Sequence, residues 1–258
     1  MRLIALCTAL AIRLAAQPAV DELAKADDVL KTARAALGAK LSTVQSLSLW
    51  GADRHGPQSG QMALTIDLAG KYLREQSSLS TGGQIQRMSI GSDGAGASGG
   101  GMPGDEGGPA MSVNLSEGFD GDAYWTRTGA GAGKHAFVAA FARYVLALTL
   151  SPPASFPVTF TYGGRLESSQ GTMDALEGKG PDDFLIHLYL DAKTHLPATM
   201  VYHEGKTEMQ LWMTDYRTEE GIRFPHLLAW LADGDPVEQF RIDHLKINPK
   251  LRPEKFRR

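Results

Sequence analysis

Hydrophobic and polar positions along the chain follow two different periods. Over 21–41 the apolar residues recur every three or four positions with charged residues mostly opposite, which predicts an amphipathic helix that ends near Gly38. A second helical pattern covers 134–150 and stops before the Pro152–Pro153 pair, because proline cannot continue a helix. Both helices need an apolar surface to pack against.

The period changes to two in the segments between and after these helices. Alternation is clearest over 61–68, where Met62, Leu64 and Ile66 alternate with smaller or more polar residues. Further strands are predicted at 46–51, 71–79, 84–90, 119–127, 156–165, 171–176, 184–191, 198–203, 207–216, 221–231 and 237–247. The connectors are short and rich in turn residues, so they join antiparallel neighbours. The pattern predicts an α+β protein with one broad antiparallel sheet of about 11 strands, whose apolar face two helices cover.

The first residues have the plan of an export signal. Met1 and Arg2 precede an apolar run over 3–12 and a small-residue exit before Pro18, which predicts a cleaved signal over 1–18 and a single domain over 19–258. The run is too short to span a bilayer, so no transmembrane helix is expected in the mature chain. The alternatives are a short N-terminal helix, a misplaced start codon, or lipid attachment at Cys7, the one cysteine.

Composition narrows the possible partners. The net charge of -3 provides no basic surplus for phosphates, which argues against nucleic acid. The glycine-rich stretch 91–110 buries too little apolar surface to offset its ordering entropy and is predicted to be a disordered loop. It is not a phosphate cradle, because no Gly-Lys-Ser/Thr follows it.

The residues that usually carry catalysis do not form a recognisable site. None of the seven histidines has the spacing of a metal site. Ser98 lies in a Gly-x-Ser-x-Gly-like stretch inside the glycine-rich loop, where a nucleophile has no rigid mount. Carboxylate pairs such as Asp182 and Asp183 occur at turns. The sequence therefore predicts neither an enzyme, nor a cofactor, nor a metal site.

Large, adaptable apolar side chains are more informative. Six methionines and four tryptophans occur along the predicted strands, and methionine suits surfaces that accept varied apolar shapes. Since a curved sheet covered by only two helices leaves room for an apolar ligand, we expect the ligand on one face of the sheet and on the second helix. The predicted lining consists of Leu64, Ile66, Leu73, Ile186, Leu188, Met209 and Leu211 on the strands, with Phe141 and Val145 on the helix.

Several turn and strand motifs resemble those of the bacterial outer-membrane lipoprotein-sorting carriers (LolA/LolB-like proteins). The Asp-Gly-x-x-x-Trp stretch at 120–125 is one. The others are the D-x-x-T-x-x-P turn at 191–197, the Asp215-Tyr216 strand end, the Gly-Ile-x-Phe-Pro turn at 221–225 and the closing Asn248-Pro249. The resemblance covers most of the chain from Asp21 onward.

This resemblance implies an incomplete β-barrel whose concave face holds lipid or the acyl chains of a lipoprotein in the periplasm. Arg74 corresponds to an arginine that contacts cargo in the carriers. Two alternatives stay open. In the first, the protein is an envelope sensor or scaffold that binds a protein partner through the same sheet. In the second, it is a hydrolase, which would require a cluster of buried ionisable side chains.

Overall fold

A computed structural model describes residues 20–80, 111–127, 134–168 and 171–257. Four sequence predictions lie outside these residues: the signal over 1–18, lipid attachment at Cys7, the strand at 84–90 and the glycine-rich loop at 91–110.

One antiparallel sheet of 12 strands forms the body of the described residues. The strands are β1 (Ser46–His55), β2 (Gln58–Asp67), β3 (Lys71–Ser80), β4 (Met111–Phe119), β5 (Tyr124–Thr126), β6 (Thr159–Ser168), β7 (Gly171–Lys179), β8 (Leu185–Asp191), β9 (Pro197–Glu204), β10 (Thr207–Glu219), β11 (Ile222–Ala232) and β12 (Asp235–Ile247). Their order is β5-β4-β3-β2-β1-β12-β11-β10-β9-β8-β7-β6. The antiparallel α+β prediction is confirmed.

The order of the strands shows how the sheet is assembled from two meanders. Within each meander, β1 to β5 and β6 to β12, each strand pairs with the next one along the chain. The first and last strands, β1 and β12, pair with each other, as at Leu49 and Leu245. The edges β5 and β6 do not pair with each other, so the barrel stays open. Since consecutive side chains alternate between faces, the sheet has an inner face toward the helices and an outer face.

Two α-helices accompany the sheet, α1 (Val20–Leu37) and α2 (Lys134–Thr149). α1 ends at Leu37, next to the predicted stop at Gly38, which adopts φ 139°. A Cβ at Gly38 would come within 2.5 Å of the Gly221 carbonyl oxygen, so the helix end lies tightly against the β10–β11 turn. Short 3-10 turns follow at Leu41–Thr43 and Pro253–Phe256.

The single strand predicted over 119–127 is in fact a turn between two strands. β4 ends at Phe119 and β5 begins at Tyr124. Asp120 Oδ1 accepts hydrogen bonds from the N–H groups of Asp122 (3.0 Å) and Ala123 (2.9 Å), and this side-chain cap reverses the chain.

The remaining motifs fix turns and strand ends. Asp191 Oδ1 accepts hydrogen bonds from the N–H groups of Lys193 and Thr194, with His195 in the left-handed region at φ 60°. The Tyr216 hydroxyl donates to the Pro197 carbonyl at 2.8 Å, which ties β10 to the beginning of β9.

The Asn248-Pro249 motif ties the end of β12 to the segment that leads into β1. Asn248 Oδ1 accepts from the N–H groups of Gln45 (2.7 Å) and Ser46 (3.2 Å), and its Nδ2 donates to the Thr43 carbonyl at 3.0 Å. Trp125 Nε1 donates to the Phe256 carbonyl at 2.7 Å. These residues have structural roles, in agreement with their nature as turn and strand markers.

Candidate functional site

The inner face of the sheet is apolar, and α2 covers much of it. Tyr72 on β3 packs edge-on against Phe137 (5.0 Å between ring centroids) and Phe141 (5.8 Å) of the helix. Tyr144, one turn further along α2, lies 5.6 Å from Trp230 on β11. The helix is apolar on nearly all sides of its second half, as its central position requires.

Most of the predicted lining residues share this inner face. Fully or almost fully buried in the common core are Leu64, Ile66, Phe141, Val145, Ile186, Leu188 and Leu211. Met209 is partly exposed and packs against that core. The space expected between sheet and helices is therefore filled in this state by the side chains of α2.

Leu73 differs from the others because it faces the outer side of the sheet. In the β2–β3 register Leu64 pairs with Arg74 and Ile66 with Tyr72, whereas Leu73 pairs with Thr65. Consecutive residues of a strand point to opposite faces, so Leu73 and Arg74 do not line the same surface. Arg74 is the inward-facing member of the two.

An open cavity of about 340 Å³ lies between α2 and the turn that joins β7 to β8. Its walls include Phe156 and Phe184, which pack edge-on at 5.0 Å, together with Ala136 and Ala139 of α2. Leu185 also lines the cavity and is 41% exposed. The volume is in the range of small-molecule sites, about 300–1,000 Å³, and the walls suit an apolar group.

The cavity has a polar rim. His135 Nδ1 lies 2.8 Å from Asp182 Oδ2. Arg143 Nη1 donates to Glu204 Oε1 at 3.1 Å, and its guanidinium stacks over the Tyr202 ring at 3.8 Å. Burial lowers the pKa of Arg143, although Tyr202 and Glu204 partly oppose this. The rim can contact a polar group of a ligand that enters the cavity.

A buried group of charged side chains lies elsewhere on the inner face, and we call it the Arg74 cluster: Asp53, His55, Arg74, Gln76, Glu117 and Glu238. Arg74 Nη2 lies 2.5 Å from Glu238 Oε1, and Nη1 lies 3.8 Å from Glu117 Oε1. Burial opposes the charge on Arg74, but its acidic neighbours, led by Glu238, leave its pKa well above the ordinary value.

Only Arg74 of this cluster was expected to belong to the site. One signal was available in the sequence, because Asp53 continues the inward series Leu47, Leu49 and Gly51 along β1. A charged residue at the end of an apolar face indicates a partner. The partner of Arg74, Glu238, is 164 residues away along the chain, so this pair could not be predicted before the pairing of the strands was known.

The Arg74 cluster is the kind of group that the hydrolase alternative required. Neither the cavity beside α2 nor a smaller cavity of about 210 Å³ beside α1 is lined by any of its members.

Across the described parts of the chain, no group of three or more His, Cys, Asp or Glu residues is placed to hold a metal ion. None of the described helices is long and apolar enough to cross a membrane.

No protein-family model matches the sequence, and no curated protein sequence matches it. Several solved structures, however, are similar to this structure. The structure is similar to a putative outer membrane lipoprotein-sorting protein domain from Vibrio parahaemolyticus, with a TM-score of 0.50 and 10% identity over 91% of this chain and 97% of that one.

Two further structures match with lower scores. A LolA superfamily protein from Nitrosomonas europaea has a TM-score of 0.49 and 10% identity, over 90% of this chain and 97% of that one. A DUF1329 family protein from Desulfovibrio piger has a TM-score of 0.46 and 11% identity, over 91% and 97%. The likeness to the Vibrio domain shows the fold, so the resemblance inferred from the sequence motifs is confirmed at that level.

Proposed function

We propose that the protein is an exported, non-enzymatic carrier that binds the apolar part of a lipid, or of an acylated protein, between α2 and the inner face of its open half-barrel. The observation that carries this proposal is the cavity beside α2, because it opens to solvent next to Phe184 and Leu185 and combines an apolar wall with polar side chains at its rim. A polar rim around Arg143 suits an amphiphile better than a purely apolar molecule.

The packing of α2 supports an exchange between helix and ligand. The helix contacts the sheet through ring and aliphatic groups, including Phe137, Phe141 and Tyr144. An acyl chain makes contacts of the same chemical kind, worth roughly 25 cal/mol per Å² of apolar surface buried. A ligand that enters at the cavity and moves α2 outward would therefore replace much of the burial that the helix loses.

The predicted lining residues become part of this proposal as the surface beneath α2. They are Leu64, Ile66, Ile186, Leu188, Met209 and Leu211 on the sheet, with Phe141 and Val145 on α2 facing them. Export to the periplasm is supported by the pattern of the first 18 residues and by the lipoprotein-sorting fold.

Partner binding through an open sheet face receives less support. Among the described residues, the large hydrophobic side chains left exposed are Val20, Leu166 and Leu185, one each on α1, β6 and β8. A sheet that served as a docking face would leave an apolar surface uncovered, whereas α2 covers this one.

The proposal can be tested by mass spectrometry of organic extracts from protein purified without detergent from the periplasm of its host. The cavity variant is Ala139→Trp, which places a large ring in the open space, and the control is Leu166→Trp on the exposed edge strand β6. We expect a stoichiometric lipid or acylated peptide in the native protein and the control, and its loss in the cavity variant.

Equal amounts of ligand in all three proteins would place the site elsewhere. If none of the proteins carries a ligand and none takes one up from a total lipid extract of the host, the proposed function is wrong.

A further inference from the structure

The Arg74 cluster contains more acidic than basic groups. Its three carboxylates belong to Asp53, Glu117 and Glu238, and the fixed positive charge is that of Arg74. His55 Nδ1 lies 3.9 Å from Glu238 Oε2 at the edge of the cluster. Even a protonated His55 would leave one carboxylate without a counter-charge.

One carboxylate oxygen has no partner although it is buried. Gln76 Nε2 donates to Asp53 Oδ2, and Gln76 Oε1 accepts from Arg74 at 3.4 Å, so a short chain connects Asp53 to the arginine. Asp53 is only 4% exposed, and its Oδ1 has no hydrogen-bond partner in the described structure. A buried acceptor without a donor costs about 1–3 kcal/mol, and more when it is charged.

The cluster adjoins the apolar surface on which the ligand is proposed to lie. Glu117 pairs in register with Arg74, and two residues further along the same face Phe119 pairs with Tyr72. Asp53 pairs with Phe240, which is fully buried in the core. An apolar chain on the inner face would thus end beside the carboxylates.

We propose that Asp53, Glu117 and Glu238 form a subsite for the ammonium head group of an amphiphile whose apolar chain occupies the inner face. This inference rests on the proposed function and names the class of its ligand. An ammonium group is a compact charge with three donors and no acceptor, which complements carboxylate oxygens that can only accept. Arg74 stays in place and keeps the carboxylates together.

Protonation of a carboxylate is a second way in which the excess negative charge of the cluster can be reduced. Burial and the charge of Glu238 raise the pKa of Asp53, and burial raises that of Glu117. The other ionisable groups that act on the cluster are Tyr72 on β3, Tyr144 on α2 and Tyr202 on β9. Burial raises the pKa of all three tyrosines, so they stay neutral and add no further negative charge. A bound ammonium group would displace protons from the carboxylates, so its binding should strengthen as pH rises from 5 to 8.

The test compares three ligands of equal chain length, decylamine, decanol and decanoate, by isothermal titration calorimetry with the full chain at pH 7.5. We expect decylamine to bind at least about tenfold more tightly than decanol, which corresponds to 1.4 kcal/mol, and decanoate to bind most weakly. Titrations repeated at pH 5 and pH 8 should show tighter binding of decylamine at the higher pH and no change for decanol.

Asp53→Asn and Glu117→Gln remove one charge each with little change of shape, and both should reduce the preference for decylamine over decanol. Glu75→Gln, at an exposed position of β3 on the outer face of the sheet, is the matched control and should keep the preference. Thermal unfolding checks that each variant is folded.

The outcomes separate the two proposals. If decylamine and decanol bind equally, or the preference survives in both cluster variants, the ammonium subsite is wrong and the apolar carrier stands. If none of the three ligands binds, the carrier proposal fails and the subsite fails with it.

Discussion

Replacing Arg74 by methionine tests how strongly the buried charges depend on one another. Methionine keeps most of the apolar stem of the side chain while it removes the guanidinium that contacts Glu238 at 2.5 Å and Glu117 at 3.8 Å. At an effective dielectric constant of about 20, the attraction to Glu238 alone amounts to roughly 6–7 kcal/mol before desolvation is counted. Burial of the guanidinium offsets several kcal/mol of this gain.

We therefore expect Arg74→Met to lower the free energy of unfolding by about 3–5 kcal/mol at pH 7.5, the usual cost of leaving a buried charge without its partner. The cost should shrink at pH 4.5, because protonation neutralises the carboxylates that the variant leaves unpaired. Urea denaturation followed by tryptophan fluorescence measures both values. Arg223→Met, at an exposed position on β11, is the matched control and should change stability by less than about 0.5 kcal/mol. A cost below about 1 kcal/mol at pH 7.5, or a cost that grows on acidification, would refute this account of the cluster.

Three further predictions concern Asp53 of the cluster, the register shift of β1 at Gly51 and the packing of α2. Asp53→Asn should raise stability more at pH 8 than at pH 4: the folded-state pKa of Asp53 is raised, so the native protein loses stability as pH rises through that pKa, and denaturation midpoints across this range should show a flatter profile in the variant. Gly51→Ala should lower the free energy of unfolding by about 1–3 kcal/mol or more, because a Cβ there would lie 1.9 Å from the Arg241 carbonyl oxygen. Gly163→Ala is the control, because its nearest contact would be at 3.5 Å, and it should melt close to the native temperature. Phe141→Ala should cost about 3–5 kcal/mol in urea denaturation, and a loss below 1 kcal/mol would show that α2 contributes little to the packed state.

Particular elements show how far local pattern can predict this protein. The helix predicted over 134–150 is found at Lys134–Thr149, because its apolar spacing and the prolines after it act within a few residues. The strands of the C-terminal meander were predicted for the same reason, since alternation and turn residues are local signals. The single strand expected over 119–127 was wrong because Asp120 caps a turn that divides it, and its Asp-Gly pair is itself a local turn signal.

The candidate site was predictable only in its apolar part. Six predicted strand residues lie on the inner face because period-two alternation assigns each of them to a side. The same rule places Leu73 and Arg74 on opposite faces, and the register with β2 shows that Arg74 is the residue that faces inward. The cavity walled by Phe156 and Phe184 leaves no mark in the sequence, whereas the apolar composition of α2 indicates that the helix is buried but not that it fills the half-barrel.

The sequence by itself thus determined the elements, their antiparallel connection and the apolar face, because these follow from interactions between residues close along the chain. Only the tertiary structure decided that β1 pairs with β12, that α2 fills the half-barrel, and that Asp53, Arg74, Glu117 and Glu238 meet. Arg74 and Glu238 are 164 residues apart, and they come together because the inner face of the sheet brings β3 and β12 within reach of two long side chains.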